Sequence, residues 1–248
     1  MKSKAKCARI KLNCPSGGIG IRARLKIVFP YGIVGSTPTS GTVSLANLIN
    51  VEDLKSGKLI DLVPEFYELK EVVENDGIWH DKQAVFDHTL RVMASMQKNF
   101  DLINDRTKKL LDERINGLTK KNLLEITGLL HDISKKETFK VVNGLTQCPN
   151  HWEEGAIKSI KILKRLGFSE DQIHFVSELI KNHMLIHNAL WKDQNFKKIP
   201  EIKKDLKEDY PAQLLLAFAD MMGCDMDKLR PDEFKSRVGS YQKEIENL

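Results

Sequence analysis

Before Glu52 the chain contains no aspartate or glutamate, although eight basic residues fall there: Lys2, Lys4, Lys6, Arg9, Lys11, Arg22, Arg24 and Lys26. Beyond that segment, 31 basic residues face 34 acidic ones, a net of −3, so the formal +5 of the whole chain belongs to the basic arm. Charge therefore gives no support for tight, non-specific nucleic-acid binding by the rest, and leaves nucleic acid open as a partner. Cysteine is scarce. Cys7, Cys14, Cys148 and Cys224 show no CxxC spacing, which excludes a disulfide framework and leads us to expect a reduced, cytoplasmic compartment. Long apolar runs are missing too: Ile27-Val28-Phe29-Pro30 is cut short by Pro and Gly, so neither a secretory signal nor a membrane span is expected. No internal repeat is present, and no alternating apolar and polar run is long enough for a sheet.

What is present is helical periodicity. Helices are predicted near 62–75, 84–99, 101–116, 120–133, 151–166, 170–186, 200–208, 211–222 and 231–246, and 41% hydrophobic content is enough for a core. Ser169-Glu170-Asp171-Gln172 reads as a capping box and Gly167 as the stop of the helix before it. Phe139 to Cys148, with Val141-Val142-Asn143-Gly144, reads as a loop or small hairpin that borders the site. The predicted organisation is a basic, disordered or weakly structured segment over 1–50 and one all-α domain over 51–248.

Polar residues intrude on the apolar stripes at regular places. Ile173, Val176, Ile180, His183 and His187 share one face, whereas His174 falls off it. His88 borders the stripe of Val85, Val92 and their neighbours. Leu124, Gly128 and His131 line one side of the next helix, with Gly128 permitting a close neighbour and Asp132 following near the helix end. Asp220 ends Leu214-Leu215-Leu216-Ala217-Phe218-Ala219, apolar on all sides, where an ionised carboxylate needs a cation. Imidazole and carboxylate are ligands for divalent first-row metals. Together His88, His131, Asp132, His151, His183 and Asp220 point to a metal-dependent hydrolase.

The order His, His-Asp, His, His, Asp resembles the HD-domain superfamily of metal-dependent phosphohydrolases, and Leu129-Leu130-His131-Asp132-Ile133-Ser134-Lys135 is similar to its central LLHDIGK-type motif. Trp79-His80, Val85-Phe86-Asp87-His88-Thr89 and His151-Trp152-Glu153-Glu154-Gly155-Ala156 resemble the HD domain of bacterial tRNA nucleotidyltransferases, over roughly Leu62 to Met222. Their nucleotidyltransferase head is missing, so nucleotide addition is not implied. The chain departs from the motif at Ser134, where the family often has Gly. The resemblance implies an HD-domain-like helical bundle with a metal centre between helices. By it, His88, His131, Asp132 and Asp220 hold one ion and Asp132 bridges to a second held by His151 and His183. It also implies a catalytic role for Asp132, and phosphate contact by Lys135 during attack by metal-activated water. Mn²⁺ or Fe²⁺ leads as the metal, with Co²⁺, Zn²⁺, Ni²⁺ and Mg²⁺ as alternatives.

The expected substrate is a small phosphomonoester or phosphodiester, nucleotide-like. Two rivals stand beside it: a di-iron oxygenase of the same fold, separable by redox-dependent O₂ consumption, and a non-catalytic ligand-binding regulatory module. Several residues have plainer readings. His80 is expected to pack or hydrogen-bond beside Trp79, His187 to be structural or at the substrate's edge, and Met221-Met222 and Trp152 to be core. Lys197-Lys198 and Lys203-Lys204 read as a solvated face, and Lys135 could be a solvated helix-end lysine. Finally, Gly35-Ser36-Thr37-Pro38 resembles the conceptual translation of a tRNA gene's 3′ arm, so the native start is expected near Leu45 to Val51. Peptide mapping that recovers residues 1–40 would overturn that expectation.

Overall fold

The computed structural model describes residues 49–191 and 198–248. The expectations placed on the basic arm, apart from Ile49 and Asn50, and on Lys197 lie outside the described residues. Within them run helices α1 (Val51–Lys55), α2 (Pro64–Glu68), α3 (Val85–Asn99), α4 (Asp105–Asp112), α5 (Lys120–Leu130) and α6 (Lys135–Thr138). They are followed by α7 (His151–Arg165), α8 (Glu170–Asn182), α9 (Met184–Trp191), α10 (Ile199–Leu206), α11 (Tyr210–Gly223), α12 (Met226–Leu229) and α13 (Pro231–Glu246). Three small antiparallel hairpins pair β1 (Val73–Asn75) with β2 (Asp81–Ala84), β3 (Arg114–Ile115) with β4 (Leu118–Thr119), and β5 (Lys140–Val142) with β6 (Leu145–Gln147). The all-α expectation holds.

The bundle is organised around α5, which meets α3 and α11 on one hand and α8 on the other, while α7 lies along α8. α11 is the buried spine: Leu214 to Ala219 are at most 2% exposed, and each fully buried Leu or Phe there contributes roughly 1.5–3 kcal/mol. Pro211 sits in its first turn, where no backbone N–H is needed. Gly128 lets α5 approach α3, because a Cβ there would lie 2.7 Å from Met96 Cε and 3.1 Å from Met93 Sδ. The starts of α5 and α8 are fixed by capping boxes, Thr119 with Asn122 and the expected Ser169 with Gln172.

Three predicted helices are corrected. The helix over 62–75 stops after α2 and a 3-10 turn at Leu69–Glu71, and Val73–Asn75 forms a strand. The β-branched pair Val72-Val73 ahead of a turn at Gly77 (φ 73°) favours the hairpin. The helix over 101–116 shrinks to α4, because Asn116 and Gly117 take positive φ (49° and 98°) and close the β3–β4 hairpin. The helix over 170–186 breaks at His183. The carbonyl of Ile180 there accepts from both the amide and Nδ1 of His183, at 3.3 and 2.6 Å, which interrupts the regular ladder. The region 139–148 is a hairpin, turning at Asn143-Gly144 (φ 53° and 81°). Met221 is core as expected, but Met222 is 38% exposed and Trp152 only half-buried.

Candidate metal centre

The packing brings helix ends together. His131 is the C-cap of α5, His183 the C-cap of α8 and His151 the first residue of α7, while His88 and Asp220 project from the paired helices α3 and α11. The C-termini of α5 and α8 carry partial negative charge, which favours a cation between them. All four histidines and Asp132 are buried. Asp220 keeps 16% of its side chain open. It also lines a pocket of about 160 Å³ together with Glu74, Asp132, Lys135, His151 and His187.

Three imidazoles are oriented by their own backbone. Nδ1 of His131 lies 2.8 Å from the Gly128 carbonyl, Nδ1 of His183 lies 2.6 Å from that of Ile180, and Nδ1 of His151 lies 2.7 Å from that of Cys148. A carbonyl oxygen only accepts, so each Nδ1 carries a hydrogen, and in the neutral ring each Nε2 presents a lone pair. Those lone pairs converge. His131 Nε2 is 3.1 Å from Asp132 Oδ2 and 3.7 Å from Asp220 Oδ1, and His88 Nε2 is 3.5 Å and 2.9 Å from the same two oxygens. On the other side of Asp132, Oδ1 is 3.5 Å from His151 Nε2, which in turn is 3.1 Å from His183 Nε2. The result is two groups of three ligand atoms, His88-His131-Asp132 and Asp132-His151-His183, each within 4.8 Å and sharing Asp132.

In the group around His88 the short approaches lack hydrogen-bonding geometry. Nε2 of His88 and Nε2 of His131 are buried without a partner of hydrogen-bonding geometry, which costs roughly 1–3 kcal/mol per group, and Oδ2 of Asp132 has only the ion pair with Lys135. Electrostatics make the same demand. Burial works against a charged His131, yet the carboxylates of Asp132 and Asp220 outweigh it and raise its pKa to about 10. Burial also works to raise the carboxyl of Asp132, but His131 and Lys135 hold it well below the usual range. A proton on His131 would answer the two carboxylates and leave His88 Nε2 unmatched. At the second group, burial and the neighbouring imidazoles push His183 down to about 3, and burial lowers His151. With both Nδ1 atoms bound to backbone carbonyls, the neutral rings turn two lone pairs toward each other across 3.1 Å. A divalent ion would satisfy the atoms of the group that held it, and the residues present fit such an ion in each group.

Around this cluster lie residues that the sequence reading missed. Glu74, on β1, is 5% exposed and accepts from Lys135 Nζ at 2.8 Å, while Lys135 Nζ is also 3.0 Å from Asp132 Oδ2. Lys135 is thus buried between two carboxylates, and the solvated reading is overturned. Glu74 stands opposite Gln83 across the β1–β2 hairpin. Gln83 accepts from His80 Nδ1 at 2.7 Å and donates to the Gly223 carbonyl at 2.8 Å, so His80 plays the hydrogen-bonding part expected of it. Ser134 has a structural use of its own: its Oγ donates to the His151 carbonyl at 2.7 Å, tying the His-Asp turn to the start of α7. His174, off the stripe, is exposed. Thr146, Gln147 and Cys148 of the β5–β6 hairpin line the pocket, as expected of that segment. Burial, followed by the charge of Glu74, pushes the Cys148 thiol up to about 12, which makes it a poor nucleophile.

Residues 85–229 match the family model of the HD domain, more than half of the 248-residue chain. The chain belongs to this family, whose members are typically metal-dependent phosphohydrolases. The matched span contains His88, His131, Asp132, His151, His183 and Asp220, and leaves out Glu74 and the whole of α13. No curated protein matches the chain. Among the described residues, no helix is long and apolar enough to cross a membrane.

Proposed function

We propose that the protein is a metal-dependent phosphohydrolase acting on a small phosphomonoester or phosphodiester, nucleotide-like, with two divalent ions. His88, His131, Asp132 and Asp220 would hold the first, and Asp132, His151 and His183 the second. Mn²⁺ or Fe²⁺ leads as the metal. The observation that carries this reading is the division of Asp132: one oxygen turns to His88 and His131 and the other to His151. Such a pair of ions supplies Lewis acidity toward phosphoryl oxygens and a lowered pKa for water at the site.

The chain supplies the rest. Lys135 lines the pocket beside Asp132 and offers a cation to the phosphoryl group, and Glu74 fixes its direction. The pocket, lined by Asp132, Lys135, His151 and Asp220, has room for a phosphoryl group beside the metal-ligating cluster. The buried carboxylates and imidazoles keep their places without reorganising during the reaction, which is how fixed dipoles and charges favour a transition state. The test is metal analysis of anaerobically purified protein, followed by a screen of phosphatase, cyclic phosphodiesterase and dinucleotide polyphosphate substrates. Two ions per chain and metal-dependent hydrolysis are expected. Absence of bound divalent metal, with no turnover after adding each candidate ion, refutes the proposal.

A further inference from the structure

Asp220 divides its oxygens as Asp132 does, but for a different purpose. Oδ1 lies 2.9 Å from His88 Nε2, whereas Oδ2 lies 3.0 Å from Nε2 of His187. A carboxylate oxygen only accepts, so Nε2 of His187 carries a hydrogen, and in the neutral ring its Nδ1 holds the lone pair. This tautomer is the reverse of the one in His131, His151 and His183. The partner of Nδ1 is the hydroxyl of Tyr241, 3.0 Å away, which therefore donates. The direction of the whole chain is set: Tyr241 O–H to His187 Nδ1, His187 Nε2–H to Asp220 Oδ2.

The chain of bonds is held rigidly. Tyr241 is fully buried in α13, and its ring stacks on Phe218 of α11, 5.5 Å between centroids at 25°. His187 is 4% exposed and meets Trp79 edge-on at 5.6 Å. With Oδ2 engaged, Asp220 has Oδ1 left for an ion. Rotation of the carboxylate to present both oxygens to an ion breaks the bond to His187.

We propose that His187 and Tyr241 are positioning residues that hold Asp220 in its ligand orientation, so that α13, whose Tyr241 lies beyond the family-matched span, sets the metal affinity of the centre. This rests on the reading of Asp220 as a ligand. Hydrogen bonds to ligating groups are typically worth about 10–100-fold in metal affinity.

The test uses the full chain, Mn²⁺ or Zn²⁺ alone in competition with a chromophoric chelator, and ¹⁵N imidazole spectra of the metal-free protein. Wild type should show His187 as the Nε2–H tautomer. Tyr241→Phe, which keeps the ring and its stacking, should weaken metal binding about tenfold while the metal-free melting temperature stays near wild type. His187→Ala should weaken it at least as much. His187→Gln, whose amide N–H can reach Oδ2, should recover part of the loss. Metal affinity within twofold of wild type in Tyr241→Phe and His187→Ala overturns the inference, as does an Nδ1–H tautomer at His187. Equal losses in the Ala and Gln variants, matched by equal drops in metal-free melting, mean a merely structural role and also overturn it. A wild type that binds no divalent ion removes the metal-centre reading itself, and this inference with it.

Discussion

Replacing His183 with alanine separates the two halves of the centre. His183 Nε2 stands 3.1 Å from His151 Nε2, and neither belongs to the group around His88. The variant should lose the second ion and keep the first. If free metal is about 100 times the dissociation constant of each site, each ion adds about 2.7 kcal/mol of stability, so about 5.4 kcal/mol for wild type and about 2.7 for the variant. In a domain of this size about 1 kcal/mol moves the melting temperature by about 2–4 °C, so metal should raise wild type by about 11–22 °C and the variant by half of that. Removing a buried side chain costs the metal-free protein about 2–4 kcal/mol through the cavity, and loss of the opposed lone pairs offsets part of it. The assay is melting with and without chelator, paired with metal counting by elemental analysis. Two ions retained in His183→Ala, with the same metal-induced shift as wild type, would refute the divided centre.

Asp132→Asn keeps the volume but removes the shared negative ligand, so both ions and hydrolysis should fall together, while His174→Ala at its exposed position changes neither; equal losses in the two would point to misfolding. Gly223→Ala should destabilise by about 1–3 kcal/mol and weaken metal binding, since its Cβ would lie 2.6 Å from Val92 Cγ2 and 3.2 Å from His88 Nδ1; unchanged melting and affinity would contradict that packing. For chelated protein, His131 is raised to about 10, so its stabilisation is full below about pH 6.5 and fades as pH rises toward 10. His183 is lowered to about 3, so its contribution fades as pH falls from about 6.5 toward 3. Metal-free stability should therefore peak near pH 6.5, and metal should flatten the alkaline side by replacing the proton on His131; a monotonic profile from pH 5 to 9 would count against both assignments.

The parts of the site legible in sequence are those carried by long helices. A stripe such as Ile173, Val176, Ile180 and His183 declares its buried face through period alone, and the apolar run before Asp220 declares its depth. Glu74 was hidden because its burial comes from a three-residue strand, and Glu71-Val72-Val73-Glu74 reads as readily as a helix end. Tyr241 was hidden for another reason: its partner His187 is 54 positions away, and only the docking of α13 on α11 brings them together. The oxygen-by-oxygen division of Asp132 and Asp220 is a matter of rotamer, which no residue pattern encodes. The Asn116-Gly117 turn was readable from its dipeptide and was masked by the helical pattern around it.

The bonds from Nδ1 of His131, His151 and His183 to carbonyls three residues earlier have a consequence for how an ion is taken up. Each ring is locked by its own turn of chain, so its torsional freedom is surrendered as the helix ends form, ahead of any ion. Holding a rotamer-rich side chain still costs about 0.5–1.5 kcal/mol. For three rings that debt is settled during folding, which leaves the affinity of the finished centre nearly undiminished by ligand ordering and lets an arriving cation meet a receptor already in shape.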